Sequence, residues 1–250
     1  MKLTFVWLRP ALTLLAIIVT FAVNAWSNIN PIGGESIGAI SNNTFGEVVI
    51  TPANYAFIIW GVIYLGLFAF GIYQLLPAQQ NRAALNPVRD ALLVSSIAQI
   101  IWVFLFLSRL FWGSLVAMGA ILGALIWGYG QWRKGERRGR RERWCVDRPL
   151  SLYFGWISVA TVVNGATALY SSGWTELGLG AEVWACVMVG VATVLGVAIA
   201  LRYRDTIYPG VMIWALIAIA QSQAQLMPVG VSAIAGAVIL GGAIAYSVFR

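Results

Sequence analysis

Eight stretches of largely apolar residues follow one another along the chain, at 8–26, 54–76, 91–110, 112–132, 150–170, 179–201, 208–227 and 229–249. Each approaches the ~20 residues a helix needs to cross the hydrocarbon core of a bilayer. Apolar and polar positions do not alternate within them as they would in barrel strands. A bilayer leaves no water for an unpaired backbone, so the spans must be helices. The pattern predicts an all-α integral membrane protein with eight spans. Two places stay open. Segment 8–26 reads either as a retained helix or as a signal peptide with a small-residue exit near Ala25. The last two segments, joined only around residues 227–229, read either as two spans or as a re-entrant pair.

The polar connections sort by charge. With the N-terminus inside, Lys2, Arg9, Arg82, Arg89, the cluster from Arg133 to Arg148, Arg202, Arg204 and Arg250 all fall on the cytoplasmic side, and only Arg109 falls outside. The opposite loops carry Glu35, Glu47, Glu176 and Glu182. Both termini are therefore expected in the cytoplasm of a bacterial-type inner or plasma membrane. Composition agrees: 60% of residues are hydrophobic and 10% charged, against about a quarter charged in a soluble domain. The net charge of +7 is concentrated at Arg133, Lys134, Arg137, Arg138, Arg140, Arg141 and Arg143, beside a span. It reads as a topology signal and an attraction for anionic headgroups rather than as a nucleic-acid site.

Several chemistries are excluded. The chain has no histidine, which removes His-ligated haem, His-containing triads and the usual zinc sites. No catalytic or metal-ligating set is assigned. Its two cysteines, Cys145 and Cys186, fall in different environments, and no disulfide is expected. No charged residue lies in the middle of a span, which argues against an ion-coupled pump. The polar groups at depth are the neutral amides Asn24, Gln99, Asn164, Gln221, Gln223 and Gln225.

Three polar-aromatic stripes follow from helical spacing. Asn54, Phe57, Trp60 and Tyr64 recur on one face of the second span, Gln99, Trp102 and Phe106 on the third, and Tyr153, Trp156, Ala160, Asn164 and Thr167 on the fifth. Lipid tails offer nothing to an amide or an indole N–H, so these faces are expected to meet in the interior. Trp60 and Asn164 would lie about 9 Å from the outer ends of their spans, under the loop from Ser27 to Thr51. The stripes either line a ligand or simply pack. The remaining tryptophans Trp7, Trp26, Trp112, Trp132, Trp144, Trp174 and Trp184 fall near the expected interfaces, where indoles anchor a span.

The run from Thr51 through Pro52, Phe57, Trp60 and Tyr64 resembles the signature of the tryptophan-rich sensory protein and translocator protein family. In that signature a proline-rich loop leads into a helix bearing Phe, then Trp, then Tyr. Tyr153, Trp156, Ala160 and Asn164 resemble the family's fifth helix, Gln99 and Trp102 its third, and Arg109 the basic turn that follows. The sequence departs from the pattern in having one proline in the loop, Gly61 for Thr, Val159 for an aromatic residue and Gln99 for Asn. The resemblance covers 8–170, which implies a five-helix translocator-like membrane domain at 1–172 and an additional three-helix extension at 173–250. It also implies a pocket for a tetrapyrrole, porphyrin or haem, bound without histidine ligation and with no required cofactor. Trp60, Trp102 and Trp156 would stack on the macrocycle while Asn164 and Gln99 orient its edge. By the same resemblance the protein would sense or transport such ligands or support their photo-oxidative breakdown, which falls short of assigning an enzyme. The expected partners are the bilayer, a hydrophobic small molecule and a second copy in a homodimer. No base lies between Tyr170 and Arg202, so sterol binding gains no support. The competing reading is a multi-pass transporter of a small organic solute, with a cavity at the fifth to eighth helices lined by the glutamines.

Overall fold

The computed structural model describes residues 7–44, 48–135, 139–174 and 178–249. Among them there is no strand, and eight helices carry the fold. They are α1 (Leu8–Ile29), α2 (Ile59–Tyr73), α3 (Asn86–Leu107), α4 (Phe111–Arg133), α5 (Arg148–Ser171), α6 (Ala181–Tyr203), α7 (Ile207–Ser222) and α8 (Met227–Phe249). With the adjoining helical turns, seven are long and apolar enough to cross a membrane, and α7 is a shorter apolar helix. The chain is thus a multi-pass, all-helical integral membrane protein. Lys2, Glu47, Arg137, Arg138, Glu176 and Arg250, which entered the charge count, lie outside the described residues.

The seventh segment is shorter than its apolar run predicts. The helix stops at Ser222 because Gln223 leaves helical geometry (φ −106°, ψ 31°), and Leu226 N then donates to Gln223 O at 2.9 Å. Met227 therefore opens α8 rather than closing α7. Sixteen residues reach about 24 Å. At its other end, Arg204 takes a left-handed conformation that ends α6. The Asp205 carboxylate then accepts from the N–H groups of Ile207 and Tyr208 at 2.8 and 3.1 Å, occupying two donors of the first turn of α7.

The chain forms two compact units, one of Met1–Gly34 and Ile59–Phe154, the other of Glu35–Ile58 and Gly155–Arg250. In the first, α1 buries Pro10, Thr13, Ile17, Thr20, Asn24 and Ser27. Their 3-4-3-4-3 spacing is the seam of a coiled-coil-like contact. Thr13 and Thr20 are seven residues apart, as are the α3 carbonyls they meet. The Thr20 hydroxyl shares its proton between Ala16 O at 2.8 Å and Ser96 O at 3.1 Å. That of Thr13 shares its own between Arg9 O at 2.9 Å and Arg89 O at 3.5 Å. The α3–α4 hairpin is closer still. A Cβ on Gly128 would stand 2.4 Å from Ala91 Cβ, so only glycine permits this approach.

One end of this unit is organised by Arg89, which is 2% exposed. Its guanidinium donates to Gln74 Oε1 (3.1 Å), Asn86 Oδ1 (3.0 Å), Gln79 O (2.8 Å) and Gln80 O (3.2 Å). Gln74 Nε2 in turn donates to Pro10 O at 3.2 Å. A single cation thereby ties the 74–86 connection to α1 and α3.

In the second unit α6 and α8 pack through glycines. A Cβ on Gly236 would stand 2.5 Å from Thr193 Oγ1, and one on Gly196 2.5 Å from Leu240 Cδ2. The Tyr208 hydroxyl of α7 donates to Ser158 Oγ of α5 at 3.0 Å. The segment 51–56 is tied to α7 by Ala53 N donating to Ala218 O (3.1 Å), Ser222 Oγ to Thr51 O (2.7 Å) and Trp214 Nε1 to Ala56 O (3.1 Å).

Candidate functional site

The three stripes divide between the two units. In the first unit, α2, α3 and α5 bring Tyr64, Gln99 and Tyr153 into one buried chain. Tyr153 OH donates to Gln99 Oε1 at 2.6 Å, and Gln99 Nε2 donates to Tyr64 OH at 3.0 Å. Trp60 stacks on Tyr64 with ring centroids 5.8 Å apart and lies 6.2 Å from Tyr153. Phe21 of α1 closes on Tyr64 edge-on at 5.1 Å. Trp102 and Phe106 continue the α3 face, 5.2 Å apart, and Phe106 meets Phe111 edge-on at 5.4 Å. Tyr64, Gln99, Trp102, Phe106 and Tyr153 are all buried, and Trp60 is half-buried. Both ends of the Gln99 amide are thus engaged by tyrosines.

In the second unit Phe57 meets Trp156 edge-on at 5.9 Å, with Trp156 and Asn164 buried and Ala160 half-buried. The Thr167 hydroxyl turns back to Val163 O at 3.0 Å. Asn54 is exposed, and its Oδ1 accepts from Asn42 Nδ2 at 3.4 Å. Residues Asn54–Ile58 form a 3-10 turn, so Asn54 and Phe57 follow a three-residue period rather than the 3.6 of α2. Both belong to the second unit, whereas Trp60 and Tyr64 belong to the first.

The second unit also contains a cavity of about 330 Å3, within the range of small-molecule sites. None of the twelve stripe residues lines it. Its walls are Thr161, Val162, Gly165, Ala166, Leu169 and Tyr170 of α5, the start of α6 with Ala181, Trp184, Ala185 and Met188, the segment 48–50, and Trp174. The room arises where Gly165, Ala166, Ala181 and Ala185 carry little or no side chain. Local structure aims Trp174 at it. Gly173 adopts φ 70°, as a helix-ending glycine does, and turns the chain so that Trp174 N donates to Leu169 O at 3.3 Å. The Trp174 and Trp184 rings then stand 5.3 Å apart. The Thr161 hydroxyl is committed to Ile157 O at 2.7 Å, and among the described residues no charged one lines the space. A void of about 30 Å3 between α5, α6 and α7 shares Ile50, Val162 and Met188 with it.

Sequence spacing missed this cavity because its lining is apolar and small. The only pointers were Trp174 and Trp184, read there as interfacial anchors. Trp7, Trp26, Trp112 and Trp144 are exposed, as anchors are. Trp132 is 4% exposed and its indole N–H donates to Asp147 Oδ1 at 2.5 Å, so it is a packed residue instead. Among the described residues no group of three His, Cys, Asp or Glu side chains could hold a metal.

Fold and site together define a multi-pass membrane bundle with a buried tyrosine–glutamine core and an aromatic-walled apolar cavity. The sequence model of a family described as TSPO-like protein matches residues 10–246. The chain belongs to this TSPO-like family, and the match runs through the last three helices as well as the first five. No curated protein and no solved structure matches it. Family membership makes it a membrane-embedded binding or sensor protein.

Proposed function

We propose that the protein binds tetrapyrroles, porphyrin or haem without histidine ligation, or similarly flat apolar molecules, and acts as their membrane sensor. The observation that carries this reading is the apolar cavity walled by Tyr170, Trp174 and Trp184. A macrocycle is a large flat apolar face, and aromatic walls hold such faces by stacking and exclusion of water. The residues present fit the ring better than its acidic substituents. Among the described residues no Lys or Arg lines the cavity, so carboxylates are expected to stay at the mouth. In this reading the Tyr64–Gln99–Tyr153 chain is a scaffold, since the Gln99 amide would have to leave both tyrosines to address a ligand.

The transporter reading lacks comparable support. Gln221 and Gln225 are exposed, and none of Gln221, Gln223 and Gln225 lines the cavity. The test is a titration of the full chain in detergent with protoporphyrin IX, followed by tryptophan quenching. Saturable quenching lost in a Trp174→Phe, Trp184→Phe variant locates the ligand in the cavity. Loss instead in Trp60→Phe, Trp156→Phe moves it to the stripes, and no saturable quenching by the intact chain refutes the tetrapyrrole reading.

A further inference from the structure

Between α4 and α5 the chain makes a short turn, Arg140–Glu142, and a wider one, Arg143–Asp147. Acids and bases are mixed along this segment but sorted by face. Glu142 is 7% exposed; its carboxylate pairs with Arg82 and accepts from Gly139 N at 2.7 Å. Asp147 accepts the Trp132 indole proton. Both acids are therefore engaged inside the first unit. Arg140, Arg141 and Arg143 are exposed, and so is Trp144, with the Arg148 guanidinium 3.4 Å over its ring. The outward face carries positive charge and one indole, without the negative charges its sequence neighbours would have supplied.

This face lies where two spans end, α4 at Arg133 and α5 at Arg148, which is the headgroup level of a bilayer. Guanidinium groups match phosphate oxygens in a two-pronged geometry, and tryptophan favours the same depth. We infer that the 139–148 face is a binding surface for the phosphate headgroups of anionic phospholipids in the surrounding bilayer. Engagement of Glu142 by Arg82 and Gly139, and of Asp147 by the Trp132 indole, is what makes it selective for negative charge. The Arg148 guanidinium stacked on Trp144 holds a further cation against the exposed indole of this face.

The full chain is reconstituted in phosphatidylcholine vesicles containing a minority of headgroup-labelled phosphatidylglycerol or, in parallel, equally labelled phosphatidylcholine, and energy transfer from protein to label is compared. The intact chain is expected to prefer the anionic lipid by up to about fivefold per exposed arginine at low salt. The preference should fall toward one in about 1 M salt, where the Debye length is about 3 Å, and in an Arg140→Gln, Arg141→Gln, Arg143→Gln variant. Arg202→Gln, on an exposed base of the other unit, should leave it unchanged. Should the triple variant fail to fold, each single variant must lower the preference by a part of the whole. Equal transfer from both lipids by the intact chain overturns the proposal, as does a preference that survives the triple variant. Competition by millimolar inorganic phosphate as strong as that by lipid overturns it too, by revealing a free-anion site.

Discussion

Replacing Gln99 by Leu tests whether the tyrosine–glutamine chain is a cooperative scaffold. Gln99 is 1% exposed, Tyr153 2% and Tyr64 5%, so no solvent replaces a lost partner. The change removes the 2.6 Å bond from Tyr153 and the 3.0 Å bond to Tyr64. Buried groups left unpaired cost about 1–3 kcal/mol each in water-soluble proteins. Interhelical bonds within a bilayer average about 0.6 kcal/mol, because the unfolded state there finds partners too. Gln99→Leu should accordingly destabilise by about 1–3 kcal/mol. Tyr153→Phe alone should cost about 1 kcal/mol by stranding Gln99 Oε1, yet cost nothing in the Gln99→Leu background, where its hydroxyl has already lost its acceptor. Equilibrium unfolding in mixed micelles, followed by helical circular dichroism, supplies the three free energies. Additivity within about 0.3 kcal/mol would refute coupling through Gln99.

Gly128→Ala should destabilise by about 1–3 kcal/mol through collision with Ala91, while Gly119→Ala, with open space around its Cβ position, should be neutral or slightly stabilising in the same assay. Arg89→Met strips four acceptors at once and should cost about 2–4 kcal/mol, with limited proteolysis reporting faster cleavage in the 74–86 connection. Because no base among the described residues lines the cavity, esterifying the two propionates of protoporphyrin should leave its affinity unchanged or raise it; a large loss on esterification would indicate a cationic site elsewhere.

The helices were legible because a bilayer allows little else for runs of this length; the buried face of α1, with Pro10, Thr13, Ile17, Thr20, Asn24 and Ser27 at 3-4 spacing, came only from the structure. The early end of α7 was not legible, since Leu226 and Met227 are as apolar as the helix before them. Periodicity put Tyr64, Gln99 and Tyr153 on faces expected to meet in the interior but could not say whether polar groups at depth face a ligand or each other. In the stripe from Asn54 to Tyr64 the sequence did not reveal the 3-10 turn over Asn54–Ile58, which changes the period before α2 begins. Arg89 counted as one more charge in a loop, although four neutral acceptors enclose it. The cavity depends on which small residues of α5 and α6 happen to face one another, and that is a tertiary fact.

The most direct test of ligand binding in that cavity is to fill it. Ala166→Phe places a ring in space now bounded by Tyr170, Trp174 and Trp184. Absorbance titration of the intact chain and the variant with protoporphyrin IX, at matched thermal stability, should give saturable binding in the first and at least about tenfold weaker binding in the second, a difference of about 1.4 kcal/mol. Equal affinity in both would contradict the account.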